Sequence, residues 1–302
     1  MIYREHYIKP IREFYDSDLI KIITGSNSKL LSGEFTKELS GRYVSFRIRP
    51  FVYKEILEYT KELGKDVSIS DYLVWGGFPK RFEFDSPDAQ RRYLEDLDDA
   101  IVQNDLMRRH KIRKERLFQS LVNFVLRSNG RIISAKSIHS YIKKEHETCS
   151  VNTIMKYLGY LEEAYIMETI KKYSTRTKRE LSYYVKIYNA DVSFNSLRCM
   201  DNRFDLKHNL ENIIYNELIY MGYHVWVYDN GGKEIDFLAQ QGTKKYFIQA
   251  AYSVAEDKSY TREFSAFHGT DNLSQKILIT NDDIDYSTSV VRHIKLKDFL
   301  TM

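Results

Sequence analysis

Three positions late in the sequence have the types and spacing of a divalent-metal pocket. The segment "KEIDFLAQQGTKKYFIQAAYSV" predicts a β-hairpin that turns at Gly242–Thr243, and this turn places Asp236 opposite Gln249 on one face. Glu211 lies on the apolar stripe of the preceding helix and is predicted to face the same sheet, whereas Glu217 is predicted to face solvent. Carboxylates gathered in this way would hold Mg²⁺, and a nearby lysine would orient or deprotonate water against a phosphodiester.

The stretch "GYHVWVYDNGGKEIDFLA…YFIQAAYS" resembles the PD-(D/E)xK restriction-endonuclease-like fold, whose signature is an Asp followed by E-x-K on the next strand. In that alignment Asp236 takes the Asp position, Gln249 replaces the acid and Ala251 replaces the lysine. An amide lacks the negative charge that anchors Mg²⁺, and an alanine can neither carry a charge nor donate a proton. The resemblance therefore implies a degenerate catalytic site in which Asp236 is the remaining metal ligand on the strands.

An active nuclease is the alternative to this degenerate site. It would need a lysine from elsewhere in the chain, such as Lys233 or Lys244, with Glu211 and Asp236 as the metal ligands.

The chain as a whole is similar to predicted archaeal and bacterial AAA+-type ATPases that carry this nuclease-like C-terminal domain. The similarity runs in the family's order from about residue 18 to 280. It is carried by "ITGSNSKLLSGE", "LSGRYVSFRIRPF", "YLVWGGFP", "DLMRRHKIR", "SVNTIMKYLGYLEEAYI", "ENIIYNEL" and "KEIDFLA…YFIQAAYS". The resemblance implies ATP and Mg²⁺ as cofactors in complete members of the family.

The phosphate-binding loop of such an ATPase is missing from this sequence. "LIKIITGSNSKLLSGE" begins as a strand that enters a glycine turn, but G-x-x-x-x-G-K-[ST] does not occur. The resemblance implies that Asn27 is a sensor residue, and that Arg108 or Arg109 is an arginine finger, each left without a phosphate to contact. We therefore expect no cofactor for this chain.

The middle of the sequence has the element order of a winged-helix domain. Three helices are predicted, the second capped by Ser134 and the third by Ser150, and two strands follow around the basic turn "TRTKRE". Such domains bind DNA or serve as structural spacers. The predicted nucleic-acid contacts are Lys156 on the third helix and, on the strands and their turn, Lys171, Lys172, Arg176, Lys178 and Arg179.

Charge is unevenly distributed along the 302 residues, whose net charge is +4. Residues 107–180 contain 17 Lys and Arg against 7 Asp and Glu. This basic segment indicates either a surface that faces a polyanion or a solvated helical surface. No apolar run is long enough to span a membrane and no signal-peptide core is present, so we expect a cytoplasmic protein without a membrane partner.

These patterns together predict an α+β fold in three parts. They are an incomplete ATPase remnant over 1–87, a helical winged-helix domain over 88–195 and a restriction-endonuclease-like α/β domain over 196–302. The leading hypothesis is a non-hydrolytic relative of the ATPases that binds DNA or a protein partner. The alternatives are a Mg²⁺-dependent nuclease and an ATPase subunit that donates an arginine in trans to a complete relative.

Overall fold

The computed structural model describes residues 46–145, 147–173, 185–230 and 232–302. The predictions for Asn27 and for the wing residues Arg176, Lys178 and Arg179 lie outside these residues. Within them, no helix has the length and the apolar character needed to cross a membrane.

The fold is α+β, as predicted: helices pack against one mixed sheet of eight strands in the order β1-β3-β2-β4-β5-β6-β7-β8. The strands are β1 Ile132–Ile133, β2 Met167–Tyr173, β3 Val185–Asn189, β4 His224–Asn230, β5 Lys233–Gln241, β6 Lys244–Ala251, β7 Gln275–Thr280 and β8 Val291–Lys295. The α-helices are α1 Tyr53–Glu62, α2 Ile69–Trp75, α3 Pro87–Asp99, α4 Glu115–Arg127, α5 Ala135–Lys144, α6 Val151–Glu163, α7 Ser193–Ser196, α8 Leu206–Tyr220, α9 Asp257–Ala266 and α10 Leu296–Leu300. Short 3₁₀ turns cover Pro79–Glu83 and Met200–Asn202, and a π-helical segment covers Ala100–Met107.

The three helices predicted for the middle block are α4, α5 and α6, which pack around a common apolar core. The two predicted N-caps are present, since the Ser134 hydroxyl accepts from the amide of Ser137 and the Ser150 hydroxyl from that of Thr153. Before these helices, α3 passes directly into the π-helical segment Ala100–Met107.

The strands that follow these helices join the same sheet as the C-terminal hairpin. β2 pairs antiparallel with β3, and its last two residues pair in parallel with β4, Lys172 with Val227 and Tyr173 with Tyr228. One apolar core also contains residues from Tyr53 to Leu300. The sheet and this core therefore cross the predicted boundary at residues 195 and 196, and the division into three domains stays a prediction.

The predicted hairpin register is confirmed. Phe237 pairs with Ile248, which sets Asp236 opposite Gln249, and the Asp236 amide donates to the Gln249 side-chain oxygen over 3.0 Å. The helix α8 crosses one face of this hairpin and contacts β3, β4, β5 and β6.

The sheet curls around α8. Lys186 on β3 reaches Asp236 on β5 with 3.1 Å between Nζ and Oδ1, although β2 and β4 lie between these strands. Neighbouring strands are about 4.8 Å apart, so three steps across a flat sheet would be roughly 14 Å, which is farther than a lysine extends. The curl brings together side chains that are distant in the strand order.

Candidate functional site

The three predicted pocket residues meet at the centre of the curled sheet. Glu211 on α8, Asp236 on β5 and Gln249 on β6 are all buried. Asp236 accepts a hydrogen bond from the amide of Ala250 over 2.9 Å, which fixes its carboxylate between the two strands. The predicted arrangement of a helix glutamate above two opposed strand residues is therefore present.

Lys186 is the pocket residue that the sequence analysis missed. It lies on β3 with a side chain only 3% exposed, and its Nζ is 2.5 Å from Glu211 Oε1, 2.7 Å from Glu234 Oε1 and 3.1 Å from Asp236 Oδ1. A lone lysine in the apolar strand "YVKIY" was the available signal, because a charged residue within a buried strand needs partners. The structure brings Lys186, and neither Lys233 nor Lys244, to the predicted acids.

Hydrogen bonds hold Gln249 and Tyr188 in the pocket, whereas the two lysines considered for an active nuclease lie elsewhere. The Gln249 amide group donates to Glu263 Oε2 of α9 over 2.7 Å. Lys233 Nζ is directed to the carbonyl oxygen of Ser265, and Lys244 is exposed at the start of β6. Tyr188, on the same face of β3 as Lys186, donates its hydroxyl proton to Glu211 Oε1 over 2.5 Å.

The charged groups in this pocket shift one another's pKa. Burial and the negative charge of Asp236 raise the pKa of Glu211 to about 7, against the opposing effects of Lys186 and Tyr188. Burial alone would lower the pKa of Lys186, but its acidic neighbours and Tyr188 outweigh this effect and raise that pKa well above its ordinary value. Lys186 is thus held in its charged form among three acids.

The donor set does not fit a bound metal ion as the pocket stands. Among the described residues, no group of three His, Cys, Asp or Glu side chains is arranged to hold one. The ammonium of Lys186 lies where the oxygens of Glu211, Glu234 and Asp236 converge.

The expectation that Glu217 faces solvent was wrong. Its side chain is buried and accepts a hydrogen bond from the amide of Tyr53 over 3.2 Å. The reason is that α1 and α2 cover the side of α8 that faces away from the sheet. Burial raises the pKa of Glu217 to about 8.

Four exposed cations follow the π-helical segment and form what we call the basic surface: Arg108, Lys111, Arg113 and Lys114. Among the described residues, none of the four forms an ion pair. The two alternatives for the arginine finger differ in this respect, because Arg109 pairs with Asp105 whereas Arg108 points outward.

Lys111 has an unusual backbone conformation. Its φ is 48°, and it ends the helix in a Schellman motif in which the amide of Ile112 donates to the carbonyl of Met107. Glycine is favoured at such a position, since a β-carbon costs about 1–2 kcal/mol in the left-handed region. Lys111 adopts this conformation despite that cost.

The basic surface continues onto α6. The His110 ring stacks on Tyr160 with centroids 3.4 Å apart, and the exposed Lys156 lies over the same Tyr160 ring. Of the other predicted nucleic-acid contacts, Lys171 is exposed and Lys172 pairs with Asp229 over 2.5 Å.

Comparisons with known proteins divide the chain into three matched segments. Residues 3–57 match an AAA domain, residues 67–202 match a domain of unknown function (DUF8612), and residues 207–299 match a second domain of unknown function (DUF4143). An uncharacterized protein of Haemophilus influenzae is 32% identical over 278 residues, which is 90% of this chain and 68% of that protein. An uncharacterized protein of Methanocaldococcus jannaschii is 29% identical over 301 residues, which is 92% of this chain and 67% of that protein. No solved structure matches the chain.

Proposed function

The chain belongs to a family related to AAA-type ATPases, which includes the uncharacterized Haemophilus influenzae protein, and from this premise we propose that it binds DNA without hydrolysing ATP or phosphodiester bonds. The observation that carries the proposal is the basic surface, four exposed cations without ion-pair partners among the described residues. Exposed cations without ion-pair partners are available to bind phosphate groups, and phosphate contacts dominate the affinity of proteins for DNA.

The non-hydrolytic part of the proposal is supported by the residues at the two sites of chemistry. The printed sequence has no G-x-x-x-x-G-K-[ST] loop to hold a triphosphate. In the nuclease-like pocket, Gln249 replaces an acid and Ala251 replaces the lysine, while Lys186 pairs with the acids Glu211 and Asp236.

The binding test measures the salt dependence of DNA affinity. Binding is followed by fluorescence anisotropy of a labelled mixed-sequence duplex. A plot of the logarithm of the association constant against the logarithm of the salt concentration should have a slope of ~−0.9 for each phosphate contacted. Changing Arg108, Lys111, Arg113 and Lys114 together to Gln should weaken binding and make this slope shallower. Removing an equal charge from four other exposed lysines, Lys61, Lys207, Lys258 and Lys297, is the matched control.

Two results would contradict this assignment. Equal losses of DNA affinity in the two quadruple variants would mean that net charge, and not the basic surface, determines binding. An affinity that is absent or insensitive to salt would favour a protein partner in place of DNA.

The nucleotide test is a titration with a fluorescent ATP analogue, combined with a phosphate-release assay. We expect neither saturable binding nor hydrolysis. Binding that ATP competes away would contradict the non-hydrolytic assignment.

A Mg²⁺-dependent nuclease is the second candidate function. It is favoured by one observation, that Lys186 lies beside Glu211 and Asp236 as a catalytic lysine would. Plasmid incubated with Mg²⁺ or Mn²⁺ should be cut by the wild type and spared by Asp236→Ala if this candidate is correct. Equal cutting by the two proteins would dismiss it.

The third candidate, an ATPase partner subunit acting in trans, depends on Arg108, which is exposed and has no ion-pair partner among the described residues. Mixed with a complete relative, the wild type should stimulate ATP hydrolysis and Arg108→Ala should not. Arg109→Ala is the control, because Arg109 already pairs with Asp105. No stimulation by the wild type would end this candidate.

A further inference from the structure

We infer that the side of the sheet turned away from α8 carries a second DNA site, at which unpaired bases of single-stranded DNA stack on aromatic rings. We call this site the aromatic face and define it by His224, Trp226 and Tyr228 of β4 together with Tyr173 of β2. The choice of DNA as the partner rests on the proposed function. The aromatic face itself does not include the basic surface.

The strand register brings the four rings to one side of the sheet. His224, Trp226 and Tyr228 alternate along β4, so their side chains leave the same face of that strand. The two valines between them belong to the core beneath α8, which places the rings on the opposite side. Tyr173 pairs with Tyr228 across the parallel contact between β2 and β4, and it points to the same side.

The rings form a continuous row. The centroid of His224 lies 4.7 Å from that of Trp226, and the centroid of Trp226 lies 5.7 Å from that of Tyr173. Tyr173 is in turn 6.0 Å from Tyr228. These are the separations of rings in contact, and a row of aromatic faces is a surface on which successive bases can stack whatever their sequence.

The row extends beyond the part of the sheet that α9 covers. α9 packs on this side against β5 and β6, where Leu238 and Phe247 are buried. On the neighbouring strands His224 is exposed, and the other three rings of the aromatic face are half-buried. The row therefore presents ring surface to solvent, with the exposed His224 at one end.

Cations accompany the rings. Lys171 shares a face of β2 with Tyr173, is exposed and has no ion-pair partner among the described residues. Lys245 extends over the Tyr173 ring, with Nζ 5.5 Å from the centroid, and it also lies 3.6 Å from the carboxylate of Asp271. Aromatic rings that accept bases beside cations that accept phosphates are the general design of a single-strand site, whereas a duplex keeps the faces of its bases within the stack. This charge complementarity favours a nucleic acid over an apolar protein partner.

The test uses Trp226 itself as the reporter. The chain has two tryptophans, so Trp75→Phe leaves Trp226 as the single one. A short oligothymidine should quench its fluorescence saturably, because a base that stacks in the row contacts the indole or its neighbours. An abasic strand of equal length keeps the phosphates without the bases, and neither this strand nor a duplex of equal length should quench it. No saturable quenching by oligothymidine, or equal quenching by the abasic strand or the duplex, would overturn the inference.

Two substitutions of the exposed His224 separate stacking from folding. In the Trp75→Phe background, His224→Ala should weaken the binding of oligothymidine about tenfold or more, whereas His224→Phe keeps an aromatic ring and should bind as before. His139→Ala is the matched control, since His139 is an exposed histidine on α5. Equal affinities of His224→Ala and His139→Ala would overturn the inference.

Lys171 tests the position of the phosphates. Lys171→Gln should make the slope of the logarithm of the association constant against the logarithm of the salt concentration shallower by ~0.7, the value for one phosphate of a single strand. Lys61→Gln, which removes an exposed lysine on α1, should leave the slope unchanged. The same slope in both variants would contradict a DNA backbone that runs beside Tyr173.

The quadruple variant of the basic surface distinguishes this inference from the proposed function. In the Trp75→Phe background this variant should still be quenched by oligothymidine, and loss of the quenching would move the strand to the basic surface and overturn the inference. Quenching by oligothymidine without any duplex binding would refute the proposed role of the basic surface and leave the aromatic face supported. Tighter binding of a uridine oligonucleotide of equal length would assign the site to RNA and overturn the choice of DNA.

Discussion

At the scale of single residues, the meeting of Glu211, Asp236 and Gln249 in one pocket was predicted from the sequence, but the lysine among them was not. The hairpin register followed from the turn at Gly242–Thr243, and it set Asp236 against Gln249 correctly. Lys186 lies 50 residues before Asp236 in the chain, and no local pattern links the two. Their contact arises from the curl of the sheet, which is a property of the tertiary fold.

Glu217 gives a residue-scale prediction about pH. Its folded-state pKa of about 8 lies above the unfolded value of 4.5, chiefly because of burial, with buried Glu55 adding to the effect and the Tyr53 amide and Lys54 opposing it. The folded state therefore holds a proton that the unfolded state releases, and stability falls as pH rises from about 4.5 through 8.

Glu217→Gln should remove this part of the pH dependence. We expect the variant to melt above the wild type near pH 9 and to differ much less near pH 5, measured by circular dichroism. Glu58→Gln, on the exposed face of α1, is the control and should leave the curve unchanged. A constant difference between Glu217→Gln and wild type across this range would contradict the prediction.

Lys111 gives a prediction in which stability and binding change in opposite directions. Lys111→Gly removes a β-carbon from a residue with a φ of 48° and should stabilise the fold by about 1 kcal/mol, while it weakens DNA binding. Lys111→Ala removes the same charge but keeps the β-carbon, so it should weaken binding without this gain. Urea unfolding and anisotropy measure the two effects, and stabilisation by both variants would refute the strain argument.

At the scale of elements, α8 shows what an amphipathic pattern can and cannot indicate. The stripe that carries Glu211 is buried against the sheet, as its spacing predicts. The other sides carry Asn209, Asn212 and Glu217, which resemble surface residues in the sequence but are buried against neighbouring elements. A polar side chain that is hydrogen-bonded in the interior has the same sequence signature as a solvated one, so pattern alone could not distinguish them.

Asn209 is the centre of the hydrogen bonds that join α8 to its neighbours. Its Nδ2 donates to the Leu73 carbonyl and to Ser196 Oγ, over 2.8 and 3.1 Å. Its Oδ1 accepts from Asn129 and from Asn195, over 3.2 and 2.9 Å. Asn209→Ala would leave several buried groups unsatisfied, and should lower the free energy of unfolding by about 3 kcal/mol or more.

Urea unfolding checks this value against Asn272→Ala, in which the substituted residue is exposed. We expect the control to change the free energy of unfolding by less than about 0.5 kcal/mol. Similar effects of the two substitutions would mean that the asparagine network contributes little to holding α8 in place.

At the scale of the whole molecule, the helices and the hairpin were predicted, but the way in which they join was not. Helical periodicity and turn residues are local, and they gave α4, α5, α6 and the β5–β6 hairpin. The parallel pairing of β2 with β4 links residues more than 50 positions apart through two residue pairs, and parallel partners leave no turn signal between them. The sequence therefore indicated separate parts, where the structure has one sheet.

This continuity predicts cooperative unfolding across the proposed boundaries. Trp75, in the segment predicted as the ATPase remnant, packs against Phe204 of the last predicted domain, and Trp226, in that last domain, packs against Tyr173 of the predicted winged-helix domain. Since the chain has two tryptophans, Trp75→Phe and Trp226→Phe each leave one fluorescent reporter. If one sheet and one core bind the parts together, the fluorescence midpoint of each variant should coincide with its own far-ultraviolet circular dichroism midpoint in urea.

Comparing each reporter with the dichroism of the same protein is the internal control, because it removes any change in stability caused by the substitution itself. A Trp226 signal that is lost at a different urea concentration from the helical signal would mean that the C-terminal part unfolds separately. The two residue pairs between β2 and β4 would then be a contact between separate domains, and the predicted boundary at residues 195 and 196 would be a true domain boundary. Coincident midpoints in the two variants would instead make the curled sheet a single folding unit, as expected if Lys186 of β3 and Asp236 of β5 belong to one buried site.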